Sequence, residues 1–119
     1  MKNIDIVSQE VQRAYADDNY IAQDKSLSWA IATRQLMFRA SKALSVKQAI
    51  QVLQRFVSNS NDFAVAALEL LPKTAKVTLA REYSVCLYIS GVTLTQEIAK
   101  KMQVNEFSEE NGEYRLWWD

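Results

Sequence analysis

The 119-residue chain contains no histidine, one cysteine, one proline and two glycines. Each shortage removes a class of chemistry. Without histidine there is no Ser-His-Asp or Cys-His nucleophile pair and no imidazole metal ligand. A single cysteine, Cys86, cannot close an internal disulfide, so nothing points to an oxidising compartment. With glycine only at 91 and 112, neither a G-x-G-x-x-G fingerprint nor a phosphate-binding P-loop can be written. No serine is followed three positions later by lysine, which removes the S-x-x-K nucleophile. Carboxylates, tyrosines and lysines remain, with no recognisable catalytic spacing, and the expectation is that the protein is not an enzyme. Long apolar runs are also missing. The longest uncharged stretch, Tyr83 to Gln96, includes Ser, Thr, Gln and Gly. It falls short of the roughly 20 apolar residues that span a bilayer. Lys2, Asp5 and Glu10 interrupt the N-terminal segment, which therefore does not read as a signal peptide. A cytoplasmic location is the expectation.

What is present is an ordinary globular composition, 49% hydrophobic and 24% charged, of a length that suits one domain over 1–119. The formal net charge is zero, yet its distribution is uneven. Residues 25–61 hold six basic groups (Lys25, Arg34, Arg39, Lys42, Lys47, Arg55) and no acid. Residues 105–119 hold five acids against the single Arg115. Such blocks mark candidate surfaces for partners of opposite charge, or segments that pair with each other inside the molecule.

Apolar spacing predicts a first helix over 4–16, on Ile4, Val7, Val11 and Ala14. A second, highly apolar helix is predicted over 27–43, with only a narrow polar strip and with Trp29 and Phe38 in the core. Ser45-Val-Lys-Gln48 has the form of a capping box and opens an amphipathic helix with Val46, Ala49, Ile50, Leu53, Phe56 and Val57 inward. Asp62 is placed as the N-cap of a short helix with Phe63, Ala66, Ala67, Leu70 and Leu71 as its apolar residues, ended by Pro72. A strand is then predicted over 83–89, with Tyr83, Val85, Leu87 and Ile89 on one face. Thr93-Leu-Thr-Gln96 suggests a second capping box, and Asn111-Gly112 is a strong signal for a tight hairpin. In that hairpin Tyr114, Leu116 and Trp118 point one way, Arg115 and Trp117 the other. The expected class is α+β: three or four N-terminal helices over 1–72, packed with a small, mostly antiparallel sheet over 73–119 in a strand–helix–hairpin order.

Within residues 84–104, Gly91, Leu94, Glu97-Ile98-Ala99, Met102 and Val104 resemble the first two helices of a helix-turn-helix. That resemblance implies a nucleic-acid-binding regulator. The residues that would form its recognition helix, Asn105 to Glu113, contain four acids and the hairpin signal instead. Asp17-Asp18 and Glu109-Glu110 lack the alternating oxygen ligands of a calcium loop, and no metal or cofactor is expected. Cys86 reads as a buried small hydrophobe.

The leading expectation is a non-catalytic, stoichiometric protein-interaction module: an inhibitor, immunity factor, adaptor or accessory subunit. One contact surface would be basic, on Arg39, Lys42, Lys47 and Arg55. The other would be the acidic and aromatic hairpin, on Glu106, Glu109, Glu110, Glu113 and Trp117. The alternative is a nucleic-acid-binding regulator that uses the basic helices or the 84–104 segment. A membrane partner is not expected, and self-association stays open, because a second copy could complete an apolar central helix.

Overall fold

A computed structural model describes residues 35–55 and 61–119. In chain order the elements are β1 (Met37–Arg39), β2 (Leu44–Ser45), α1 (Val46–Arg55), α2 (Asn61–Leu68), β3 (Lys76–Glu82), β4 (Ser84–Ser90), α3 (Gln96–Lys101), β5 (Glu106–Glu110) and β6 (Glu113–Trp117). The strands form one antiparallel six-stranded sheet in the order β1-β3-β4-β6-β5, with β2 following β1 along the same edge of β3. No helix among the described residues is long and apolar enough to cross a membrane.

This architecture replaces the expected N-terminal bundle of three or four helices. The helices among the described residues are short and lie mid-chain, and the sheet dominates. The helix expected over 4–16 and the first half of the one expected over 27–43 lie outside the described residues. The second half of the latter is β1 and a bulge, followed directly by β2. A segment that is apolar nearly all round carries no period to separate helix from strand. Here the unpaired edge of β3 decides, by offering backbone partners. Tyr83 N donates to Leu36 O at 2.8 Å and Ala40 N to Leu79 O at 2.9 Å, so pairing extends past both ends of β1. Pairing then resumes at Leu44 opposite Val77. Ser41, Lys42 and Ala43 therefore bulge out opposite the single residue Thr78.

The capping box at Ser45 forms in full: Gln48 N donates to Ser45 Oγ at 3.2 Å, and Ser45 N donates to Gln48 Oε1 at 3.0 Å. Two other helix starts differ from expectation. α2 begins at Asn61, whose buried amide donates to the Leu53 carbonyl oxygen at 3.3 Å; Asp62 sits inside the first turn. Every side chain from Phe63 to Leu68 is apolar, so sequence could not choose the inner face. Ala64, Ala67 and Leu68 take it, while Phe63 and Leu70 are exposed. The helix ends at Leu68, ahead of Pro72, which accepts from Ala75 N in the next turn. α3 is capped by Thr95, whose Oγ1 accepts from Ile98 N at 3.3 Å. The helix-turn-helix resemblance fails at residues 84–90, which are strand β4.

Strand alternation sends Val77, Leu79, Val85, Leu87, Ile89 and Leu116 to one face, where they form a single core with Ala49 and Val52 of α1 and Ala64, Ala67 and Leu68 of α2. Trp118 closes this core at 1% exposure, its Nε1 donating to Met102 O at 2.9 Å. The Asn111-Gly112 hairpin forms as expected: both residues have positive φ, 53° and 82°, as a type I′ turn requires.

Candidate functional site

The opposite face of the sheet carries the chemistry. The register sets Arg39, Ala80, Cys86, Trp117 and Glu106 in one row across all five neighbouring strands. Flanking rows hold Met37 and Glu82 on one side and Tyr88 and Arg115 on the other. Two charged groups run diagonally over this row. In the first, the Arg39 guanidinium lies 4.0 Å above the centre of the Tyr88 ring and bonds both oxygens of Glu113, at 2.9 and 2.7 Å. In the second, Arg115 donates from Nε and Nη2 to Glu82, at 2.8 and 3.0 Å, and from Nη1 to Glu106 at 2.8 Å.

Glu82 is the hub. Besides Arg115 it accepts from the Cys86 thiol at 3.1 Å and the Tyr88 hydroxyl at 3.4 Å, both on Oε2. Its backbone carbonyl oxygen takes the Trp117 Nε1 hydrogen at 2.8 Å. Hydrogen bonds from Arg115, then from Cys86, hold its carboxyl down at about 2, against the opposing effect of burial. Burial first, and the hydrogen bond to Glu82 second, push the Cys86 thiol up to about 12. The Tyr88 hydroxyl is raised, chiefly by burial, and the Arg115 guanidinium is raised by its bond to Glu82. At neutral pH these directions leave Glu82 a carboxylate and Arg115 a guanidinium, with the Cys86 thiol and the Tyr88 hydroxyl protonated.

Beside the hub, Met37, Tyr83, Glu82, Glu106, Arg115 and Trp117 line an open hollow of about 260 Å³. Tyr83 is the reversing residue between β3 and β4. Its φ is +65°, its side chain does not continue the inward face of the strand as expected, and it is 68% exposed. Met37 beside it is 54% exposed. Positive φ is costly for a bulky residue, and Arg81 Nη2 and Trp117 Nε1 secure the turn through the carbonyl oxygens of Tyr83 and Glu82.

The sequence-predicted basic residues do not share one surface. Arg39 lies on this open face, joined to Glu113 of the acidic hairpin. Lys47 is exposed on α1, on the helical side of the sheet, and Lys42 is exposed in the β1–β2 bulge. Arg55 ends α1, and its side chain lies outside the described residues. Of the hairpin residues, Glu106 and Trp117 reach the hollow. Glu109 accepts from Gly112 N at 2.8 Å within its own turn, and Glu110 is exposed at the end of β5. Sequence reading missed Glu82, Tyr83 and Met37. Only the pairing of β3 with β1 and β4, and of β4 with β6, brings them to Trp117. Among the described residues no group of three or more Cys, Asp and Glu could hold a metal ion. The chain matches no protein-family model, no curated protein and no solved structure.

Proposed function

We propose that the protein is a non-catalytic, stoichiometric protein-interaction module whose main contact is the Tyr83–Trp117 end of the open sheet face. The observation that carries this reading is the exposure of Tyr83 and Met37 around a hollow floored by fixed charges. Trp, Tyr and Arg are the side chains that dominate binding energy at protein interfaces, especially when a polar rim surrounds them. Tyr83 strengthens the case. Asn or Gly would hold its backbone at lower cost, and a side chain this exposed returns little packing within the molecule. A strained, exposed aromatic is economical only if something outside the chain uses it. Glu82 and Cys86 support the non-catalytic half of the proposal: one is locked as a carboxylate and the other as a thiol. Arg39 and Lys47, two of the residues a nucleic-acid reading would use, sit on opposite sides of the sheet, which lends that reading no weight.

The test places a photo-crosslinking phenylalanine analogue at 83, or at 97 on the exposed face of α3 as a control, in the source cell. A discrete heterologous adduct is expected from 83 and not from 97. Tyr83→Gly should hold or raise stability, by about 1 kcal/mol, and lose the partner in co-purification. Equal labelling from both sites, or unchanged co-purification with Tyr83→Gly, would overturn the proposal.

A further inference from the structure

We infer that the hollow receives a basic side chain, arginine or lysine, of the partner protein; this rests on the interaction reading above and names the chemistry of its central contact. The charge in the hollow is unbalanced. Two carboxylates, Glu82 and Glu106, face the one guanidinium of Arg115, which leaves a net negative charge. All three Arg115 nitrogens already donate to carboxylate oxygens, so an incoming acid would compete with two built-in anions for them. Glu106 is different. Its side chain is 57% exposed on the edge strand, and only Oε1 is bonded to Arg115. Among the described residues Oε2 accepts no bond, and it remains available to an incoming cation. Trp117, clamped at Nε1 by the Glu82 carbonyl oxygen, is the cross-strand neighbour of Glu106, and Tyr83 lines the same hollow, so both supply aromatic rings to it. A cation is attracted to an aromatic face, and best when a carboxylate stands next to it. The same sheet face already performs this recognition internally: Arg39 lies over Tyr88 while bonding Glu113. The hollow repeats those components, ring plus carboxylate; Arg115 takes both Glu82 oxygens and Glu106 Oε1, and Glu106 Oε2 is the acceptor left for a further cation. The aliphatic stem of the incoming residue would run along Met37, as long cationic side chains cover apolar surface.

The experiment is an NMR titration of the full chain with capped tripeptides Gly-Arg-Gly, Gly-Lys-Gly, Gly-citrulline-Gly and Gly-Glu-Gly. Saturable shifts of the Trp117 indole and the Tyr83 amide are expected with the arginine and lysine probes. Citrulline has arginine's shape without its charge and should bind about two- to fivefold more weakly, the range for one exposed cation–π contact. Glu106→Gln, a mild change on an exposed edge, should reduce arginine affinity by a similar factor while leaving the spectrum otherwise native. Absence of saturable shifts, equal binding of citrulline and arginine, or preference for the glutamate probe would overturn the inference. Should the crosslink from 83 persist alongside any of those results, the surface binds a partner through another chemistry. Should the crosslink fail while arginine discrimination holds, the hollow is a cation site and the interaction reading falls.

Discussion

At the scale of the residue, Cys86 shows how one buried contact redefines a side chain. A lone cysteine in an unfamiliar chain invites a redox or nucleophilic reading, yet its reactivity depends on the thiolate. Burial, and donation of its hydrogen to Glu82, push the thiol up to about 12, above the ordinary range. The direction of the shift fixes the expectation. At pH 8 the folded protein should react with Ellman's reagent far more slowly than the chain unfolded in guanidinium, and at pH 9 the gap should persist. Similar rates in both states would show that Cys86 is neither buried nor held by Glu82. Sequence identified Cys86 as a buried small residue, because it lies in a β-branched and aromatic run. It could not identify Glu82 as its acceptor. Glu82 is four residues away on a different strand, and only a chain reversal at Tyr83 turns that separation into a hydrogen bond.

At the scale of the element, two locally closed motifs were the most legible and the strand edges the least. Asn111-Gly112 was readable because a type I′ turn makes a strict local demand for positive φ, and Ser45-to-Gln48 was readable because a capping box is closed within four residues. β1 and β2 were not readable as strands: their pairing partner, β3, is more than thirty residues distant, and the local apolar pattern suited a helix equally well. Tyr83 was assigned to a strand face because sequence gives no warning of a positive φ at a tyrosine. The glycines test how local each demand is. At Gly112, φ is +82° and nothing lies within 4 Å of an added Cβ, so Gly112→Ala should cost only the backbone penalty, about 1–2 kcal/mol. At Gly91, φ is +76° and an added Cβ would stand 2.8 Å from the Thr74 carbonyl oxygen. Gly91→Ala must therefore also push the α2–β3 connection away from the β4–α3 turn, and it should be the more destabilising of the two in denaturant unfolding. A reversed order would mean that the Gly91 turn relaxes freely.

At the scale of the whole molecule, the zero net charge resolves into pairing across the sheet. The basic block and the acidic tail, 74 residues apart at Arg39 and Glu113, meet on the open face. The segregation seen in sequence is therefore partly an internal arrangement and not wholly a pair of partner surfaces. The half-buried ion pair of Glu82 with Arg115 ties the end of β3 across β4 to β6, and so joins both halves of the sheet. Its strength should be visible in how global stability responds to acid. The folded Glu82 carboxyl sits at about 2, below its ordinary 4.5. A depressed carboxyl contributes stability that is present above the ordinary value and is lost as pH falls from there through the folded value. Urea unfolding at pH 7, 4.5, 3 and 2 should thus show wild-type stability declining below about 4.5. Glu82→Gln should be less stable at pH 7 by about 1.5–3 kcal/mol, the range for hydrogen bonds to a charged group. It should lose less on acidification, so that the two curves converge toward pH 2. The other carboxylates titrate in both proteins and cancel in the comparison. Parallel curves over this window would mean that Arg115 does not hold the Glu82 carboxyl below its ordinary value, and that this ion pair does not tie β3 to β6.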